Sequence, residues 1–332
     1  MKAAFITEQG SPEVIEYGEL PDPVPGRGQV LVKVGAAAVN PIDTYIRGGM
    51  VAFEPDYPYV VGCDLAGTII ATGQGATKFQ VGDRVWGSNQ GLLGRPGTFS
   101  ELVAVDECWL YPTPDEVTDQ DAAATALVGI TAHLGLFLHG DLQPGERVFV
   151  NGGSGGVGAA VVQLATAAGA SVVTTAGSDE KLTYCRQLGA TAVLNYRSEN
   201  LDDELRAAVA SDGGFDIWFE TQRDPNPERT IPLMNKRGRV ILMAGRNARP
   251  VLPVGPTYVS DLRFIGFAMF NATAEEQTDC AAGINDRLAS GTWQANIGKV
   301  LPLSDAAEAH RLQEQKTIHG TGSLRGKIVI EP

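Results

Sequence analysis

The sequence predicts an α/β protein in which a β-rich domain, interrupted along the chain, brackets a doubly wound domain built on a parallel sheet. Three observations predict it. Roughly the first 110 residues carry period-2 alternation between turn clusters, with no long helical stretch. From about residue 125, short apolar runs rich in β-branched residues alternate with stretches of helical spacing, an order that packs as a parallel sheet with helices on its faces. After Met269 that rhythm stops and mixed elements follow. At 332 residues the chain also exceeds the ~100 to 200 residues of one average domain.

In order, the β-rich part predicts strands over residues 2–7, 13–17, 29–39, 67–72 and 99–105, divided by Pro21-Asp-Pro-Val-Pro-Gly-Arg-Gly28 and by Gly82-Asp83. Period-2 patterning without crossover helices predicts mostly antiparallel pairing. From about Thr118 the texture changes: residues 121–139 are rich in Ala, Leu and Gly at helical spacing, and Gly140-Asp-Leu-Gln-Pro-Gly145 punctuates them. Strands are then predicted at 148–151, 171–175, 192–195, 215–219, 239–243 and 263–266. Helices are predicted between them, running from the glycine loop to 168, over 179–188 and 202–210, and around 228–235. The tail predicts a helix at 274–290, a strand at 299–303, a helix at 306–315 and a strand at 326–330, which return to the first domain. The expected division is therefore 1–124, 125–268 and 269–332.

Composition narrows the function classes. A formal charge of −13 and an isoelectric point near 4.8 oppose nonspecific binding to nucleic acid or an anionic membrane, because the long-range field repels phosphates. Any phosphate site must be local. Residues 1–10 turn polar at Glu8-Gln9-Gly10, without the apolar core of a signal peptide, and no window approaches ~18 uninterrupted apolar residues, so the expectation is a cytoplasmic protein. Cys63, Cys108, Cys185 and Cys280 lie far apart, fitting neither a disulfide framework nor a zinc knuckle, and no two of His133, His139, His310 and His319 have ligand spacing.

The stretch that organises the chain is Arg147-Val-Phe-Val-Asn-Gly-Gly-Ser-Gly-Gly-Val-Gly158. Gly153, Gly155 and Gly158 satisfy G-x-G-x-x-G, and Gly152 and Gly156 add to it. The three glycines serve a tight turn, close approach of backbone to a pyrophosphate, and packing of the next helix on the strand. Alone the match is weak; following a strand, opening a helix and heading a βα series, it predicts a dinucleotide site rather than an empty turn.

Cofactor choice turns on the end of the next strand, where an NAD site places Asp or Glu about 20 residues beyond the fingerprint. Here stands Thr174-Thr-Ala-Gly-Ser178, with Asp179 and Glu180 arriving late and Lys181 beside them. A hydroxyl and an ammonium can hold a 2′-phosphate that a carboxylate at the strand end would repel, which favours NADPH. The plainer readings are that Lys181 is a solvated helix residue and Ser178 a helix N-cap, the latter compatible with phosphate binding.

Several stretches across nearly the whole chain resemble one family. They are Gly10-Ser-Pro-Glu-Val14, Asn40-Pro-Ile-Asp-Thr-Tyr-Ile-Arg-Gly48, Gly82-Asp-Arg-Val85, Gly152 to Gly158, Thr175-Ala-Gly-Ser-Asp-Glu-Lys181, Asn195-Tyr-Arg197, Ile318-His-Gly-Thr-Gly322 and Gly326-Lys327. In order and spacing they resemble the medium-chain dehydrogenase/reductase superfamily, and within it the zinc-independent NADPH:quinone oxidoreductases of the zeta-crystallin type. The resemblance implies a GroES-like β-rich catalytic domain for the outer segments and a Rossmann domain for the middle. Zinc-dependent relatives hold catalytic zinc at places that fall here at Asn40, Cys63 and about Leu127. One plausible ligand in three implies a metal-free protein.

Carried over, the resemblance implies Asn40, Tyr45 and Thr131 around the nicotinamide. It implies Gly153, Gly155, Gly156, Val157 and Gly158 at the pyrophosphate, and Ser178, Lys181 and Tyr196 at the adenosine phosphate. Gly245 and the Phe267-Ala-Met269 backbone would flank the nicotinamide end. Two places depart from the family pattern: Glu220-Thr-Gln-Arg-Asp-Pro225, where a small-residue turn is usual, and the long segment Trp86 to Gly97, which is expected to border the substrate pocket.

With no metal and no nucleophile signature, the chemistry is expected to be the cofactor's. Hydride would pass to an electron-poor small molecule, either a quinone or the β-carbon of an enone, alkenal or acrylate. Tyr45 and Asn40 are the expected polarising groups at the developing oxyanion. A third reading is an NADPH-binding structural or regulatory protein with little turnover. The resemblance further implies a homodimer or homotetramer.

Overall fold

A computed structural model describes residues 1–210, 213–322 and 324–332. In chain order its elements are β1 (Lys2–Ile6), β2 (Glu16–Glu19), β3 (Gln29–Ala38), α1 (Pro41–Arg47), β4 (Tyr59–Val60), β5 (Asp64–Thr72), β6 (Arg84–Gly87), β7 (Leu102–Asp106), β8 (Leu110–Pro112) and α2 (Asp119–His133). There follow β9 (Arg147–Asn151), α3 (Gly156–Ala167), β10 (Ser171–Ala176), α4 (Asp179–Gln187), β11 (Ala192–Asn195), α5 (Leu201–Ala210), β12 (Phe215–Glu220), α6 (Pro227–Thr230), β13 (Met234–Leu242), α7 (Val254–Val259) and β14 (Arg263–Gly266). The chain ends with α8 (Ala274–Ala289), β15 (Ile297–Pro302), α9 (Ala306–Thr317) and β16 (Lys327–Glu331).

The chain divides into two compact units: a split unit of Met1–Leu127 with Thr273–Pro332, and a middle unit of Val128–Ala272. The first boundary falls inside α2. The split unit carries a three-stranded sheet, β2-β1-β4, and a larger one ordered β15-β16-β3-β5-β6-β8, with β7 also pairing β3. Most pairs are antiparallel, but β15 and β16 run parallel. The C-terminal strand β16 lies antiparallel to β3, Val329 opposite Ala38 and Ile330 opposite Ala37, so the tail completes the sheet begun near the N-terminus.

The middle unit is a parallel sheet ordered β11-β10-β9-β12-β13-β14. This is the doubly wound order in which successive strands turn away on opposite sides of the first, here β9. Its core includes Phe149, Val173, Leu205, Phe215, Trp218 and Val240, with the Phe149 and Trp218 rings stacked 3.9 Å apart.

Strands β4, β6 and β8 and helix α7 were not predicted, the strand expected over 13–17 is a 3₁₀ turn at Pro12–Val14 followed by β2, and three helices also differ from expectation. The helix around 228–235 shrinks to the four residues of α6, with a single 3₁₀ turn after it, and strand β13 begins at Met234. Pro232 removes the amide that would have continued the helix. Helix α1 was not predicted, although Asn40-Pro41 followed by Asp43 is a helix-start pattern: proline at the first helical position and an acid at the third. Helix α2 ends earlier than residue 139 and passes into a π-helical turn over Leu134–His139, where a Cβ on Gly135 would lie 2.5 Å from the Phe219 ring. Asp119–His139 is long and apolar enough to cross a membrane by composition, but most of it is buried, as in a core helix.

Candidate active site

In the middle unit every strand of the parallel sheet ends on the same edge, so the segments after β9, β10, β11, β12, β13 and β14 converge there. Ligands of doubly wound sheets bind at that carboxyl edge, at the point where strand order reverses. Here the reversal falls at β9, and the glycine loop follows it.

The loop is shaped by what a side chain would strike. Gly152 adopts φ 92°, which favours glycine, and the Gln222 amide lies against it. A Cβ on Gly153 would meet Thr174 Oγ1 at 2.2 Å, and one on Gly158 would meet the Gly152 carbonyl at 2.1 Å. Three loop amides are used internally: Gly152 N donates to Thr175 Oγ1 and Gly153 N to the Thr175 carbonyl, both at 3.0 Å, and Gly155 N to the Gly152 carbonyl at 3.1 Å. Gly155 is the N-cap of α3, and its carbonyl accepts from Ala159 N at 2.8 Å. The first-turn amides of Gly156, Val157 and Gly158 have no preceding helical carbonyl to bond, which makes the start of α3 an anion cradle. The geometry therefore fits a dinucleotide pyrophosphate.

Beyond β10 and β11 the structure gathers a second group. Ser178 is the N-cap of α4, its hydroxyl makes no capping bond, and Lys181 follows in the first turn. Tyr196 follows β11, its amide donating to the Ala176 carbonyl at 3.1 Å, and its ring lies over Gly177, where a Cβ would meet the hydroxyl at 2.2 Å. The Arg197 guanidinium stands 5.9 Å from the Tyr196 ring. Arg197 was not singled out as a site residue from sequence, although its motif was. β10 ends on Ala176, with no carboxylate on the strand; Asp179 and Glu180 are exposed on α4.

The departure after β12 is a wall of hydrogen bonds. Glu220 is buried and accepts from Asn151 Nδ2 at 2.9 and 3.0 Å, from Trp218 Nε1 at 3.1 Å and from Gln222 N at 2.8 Å. Burial pushes its carboxyl up while these donors pull it back. The 220–225 segment thus ties the end of β9 to the end of β12. Sequence reading flagged the segment but assigned it no partner.

Of the remaining expected residues, Gly245 adopts φ 83° after β13, and Phe267 N donates to the Leu242 carbonyl at 3.1 Å while its ring packs 4.7 Å from His139. Met269 is buried in the 3₁₀ turn that follows β14, and Thr131 is buried in α2.

Asn40 and Tyr45 belong to the split unit, and Tyr45 is half-buried on α1. Asn40 is wholly buried, and both hydrogens of its amide are engaged, with Asp64 Oδ2 at 2.8 Å and the Ala38 carbonyl at 3.2 Å. Its Oδ1 accepts from the Lys327 ammonium, which also donates to the Val39 carbonyl at 2.9 Å and lies 3.7 Å from Asp64 Oδ2. This corrects the role expected of Asn40: no amide hydrogen is left for a substrate oxyanion. Ser88 Oγ donates to Asp64 Oδ1 at 2.6 Å. Asp43 accepts from Asn40 N at 2.7 Å, and burial lifts its carboxyl to about 7. Lys327 stood in sequence only within the Gly326-Lys327 motif, with no role assigned, because its partners Val39, Asn40 and Asp64 lie far off in the chain.

Of the three positions where relatives hold zinc, Leu127 has no donor side chain and Asn40 Oδ1 already accepts from an ammonium, which leaves Cys63 as the one soft ligand among them. No group of His, Cys, Asp or Glu able to hold a metal occurs among the described residues.

The 86–97 segment starts on β6 and continues as a loop in which Ser88, Asn89 and Gln90 are buried. Arg95 Nη2 donates to Asn89 Oδ1 at 2.9 Å, its guanidinium stands 4.8 Å from the Trp109 ring, and Leu93 is exposed.

Comparison with known proteins agrees with this architecture. Residues 26–115 match the family described as alcohol dehydrogenase GroES-like domain, and residues 156–283 the family described as zinc-binding dehydrogenase. A quinone oxidoreductase of Homo sapiens is 34% identical over 331 residues, spanning 99% of this chain and 97% of that protein. Among solved structures, an NAD-dependent alcohol dehydrogenase superposes with a TM-score of 0.89 at 29% identity over the full length of both chains. Mycobacterial Rv1454c complexed with NADPH superposes with a TM-score of 0.85, also at 29% identity and full coverage of both.

Proposed function

The chain belongs to the medium-chain dehydrogenase/reductase superfamily, and on that premise we propose that it is an NADPH-dependent quinone reductase that works without zinc. That it is an oxidoreductase using a nicotinamide cofactor follows from the family, the quinone oxidoreductase relative and the cradle at the start of α3. The observation that carries the finer reading is the cationic edge after β10 and β11. Ser178, Lys181 and Arg197 gather there beside Tyr196, and the strand itself ends without a carboxylate.

In this reading, Gly156, Val157 and Gly158 hold the pyrophosphate, with Gly153 and Gly155 shaping the turn. Lys181 and Ser178 take the 2′-phosphate, and Tyr196 lies along the adenosine. Thr131, Gly245 and the Phe267 to Met269 backbone serve the nicotinamide end. NADPH supplies a hydride when bound. Tyr45 donates a hydrogen bond to the acceptor oxygen as charge develops, since the Asn40 amide is occupied inside the protein. A quinol oxygen is stabilised by conjugation, so a metal is not needed to polarise it. Support for zinc independence comes from the ammonium on Asn40 and from Leu127, which has no donor side chain.

The test is NADPH and NADH oxidation against a panel of quinones and 2-alkenals. Turnover of quinones, undiminished after exhaustive chelation and faster with NADPH, is expected. Turnover confined to 2-alkenals would move the assignment to double-bond reduction. Tight NADPH binding with no turnover would leave a binding protein. A cytoplasmic homodimer or homotetramer is proposed from the resemblance, to be checked by light scattering.

A further inference from the structure

Among the described residues Lys327 is the one cation drawn into the buried cluster around Asn40, and the proposed mechanism does not use it. Backbone pairing puts it there: with Val329 opposite Ala38 and Ile330 opposite Ala37, the same antiparallel register carried two residues on sets Lys327 opposite Asn40. The ammonium then closes a ring. Lys327 donates to Asn40 Oδ1, Asn40 Nδ2 donates to Asp64 Oδ2, and Asp64 Oδ2 lies 3.7 Å from Lys327 Nζ. Asn40, Asp64 and Ser88 have no exposed surface, and Lys327 is 7% exposed.

A carboxamide has two faces that differ by a flip. An ammonium on one side and a carboxylate on the other admit one orientation, with oxygen to Lys327 and nitrogen to Asp64. Asn40 is also the residue from which α1 starts: its backbone carbonyl accepts from Asp43 N at 3.1 Å and its backbone N–H donates to Asp43 Oδ2 at 2.7 Å. Tyr45 stands on that same helix, little more than a turn further on. A well-packed apolar side chain would stabilise such a site as well as an ion pair does, so the pair is best explained by the geometry it imposes.

We propose that Lys327 is a positioning residue for the reaction: its buried ammonium locks the Asn40 carboxamide against Asp64 and so holds the start of α1 where Tyr45 meets the acceptor. The cluster is a cation cage of oxygen acceptors that the protein fills with its own side chain. This inference rests on the reductase reading only for its rate measurement.

The test compares wild type with Lys327→Met and with Asp64→Asn/Lys327→Met, which removes the orphaned carboxylate. The NADPH dissociation constant, read from nicotinamide fluorescence, is expected to stay within two-fold. The kcat for a quinone that wild type reduces is expected to fall at least ten-fold in both variants, while the double variant recovers the melting temperature lost in the single one. A double variant with wild-type melting temperature and kcat within two-fold of wild type would overturn the proposal. A second measurement needs neither a folded variant nor turnover: wild-type chain labelled with ¹⁵N-lysine should show one slowly exchanging ammonium resonance. Its absence would overturn the proposal even if the reductase reading stood, and its presence would support the cage even if no acceptor were found.

Discussion

Gly158 lies so close to Gly152 that a Cβ added to it would stand 2.1 Å from the Gly152 carbonyl oxygen. The contact is backbone on both sides, so no rotamer change can relieve it. Gly158→Ala is therefore expected to push α3 away from the loop, costing about 1–3 kcal/mol by overpacking and weakening NADPH binding as well. Thermal denaturation and a fluorescence titration check both effects; an alanine variant with unaltered melting temperature and affinity would refute the close packing of Gly158 on Gly152.

Ser178 and Lys181 share the first turn of α4 with Tyr196 and Arg197 beside them. Lys181→Ala and Arg197→Ala should each raise the Michaelis constant for NADPH roughly ten-fold and leave that for NADH unchanged. A hydrogen bond to a charged group is worth ~1.5–3 kcal/mol, reduced here by partial exposure. Equal effects on the two cofactors would refute the phosphate assignment.

Tyr45→Phe removes a hydroxyl and keeps the ring, so α1 should hold its place. The expectation is a kcat for quinones lower by roughly ten-fold with NADPH affinity intact, the loss of one donor to a developing oxyanion that conjugation already stabilises. If steady-state rates match wild type, the polarising group lies elsewhere.

His310 is fully buried in α9, its ring edge-on to Phe99 at 5.9 Å, and neither ring nitrogen has a hydrogen-bond partner among the described residues. Burial, with the Arg47 guanidinium adding to it, lowers its pKa from 6.5 to about 3. Below pH 6.5 the unfolded chain takes up a proton that the folded state refuses, so this contribution to stability is whole above 6.5 and is lost as pH falls towards 3. The loss should reach about 3 kcal/mol by pH 4, at ~1.4 kcal/mol per pH unit. His310→Leu should flatten that acid limb and cost little at pH 7. Denaturant unfolding at a series of pH values would decide it, and parallel curves for the two proteins would exclude His310 as the source.

The parallel sheet and its glycine loop were legible because local patterns specify them. Short β-branched runs alternating with helical spacing leave one architecture, and Gly152 to Gly158 announce where a backbone must approach a ligand. The four-residue α6 was misread because apolar spacing outweighed Pro232, and α1 was overlooked because seven residues are too few for a period to emerge. Among site residues, Ser178, Lys181 and Tyr196 came from motif positions, whereas the Asn151 partner of Glu220 comes from β9, 69 residues away.

By itself the sequence determined the strand order of the parallel-sheet unit along the chain, the glycine loop and the lack of a carboxylate at the end of β10, because each depends on neighbours a few residues apart. Tertiary structure decided what the buried polar groups do. Lys327 meets Asn40 across 287 residues through the pairing of β16 with β3. Asn40 thereby changes from an expected donor to substrate into a side chain fully occupied by the protein. Long-range pairing assigns a buried charge its partner, and no local spacing records that choice.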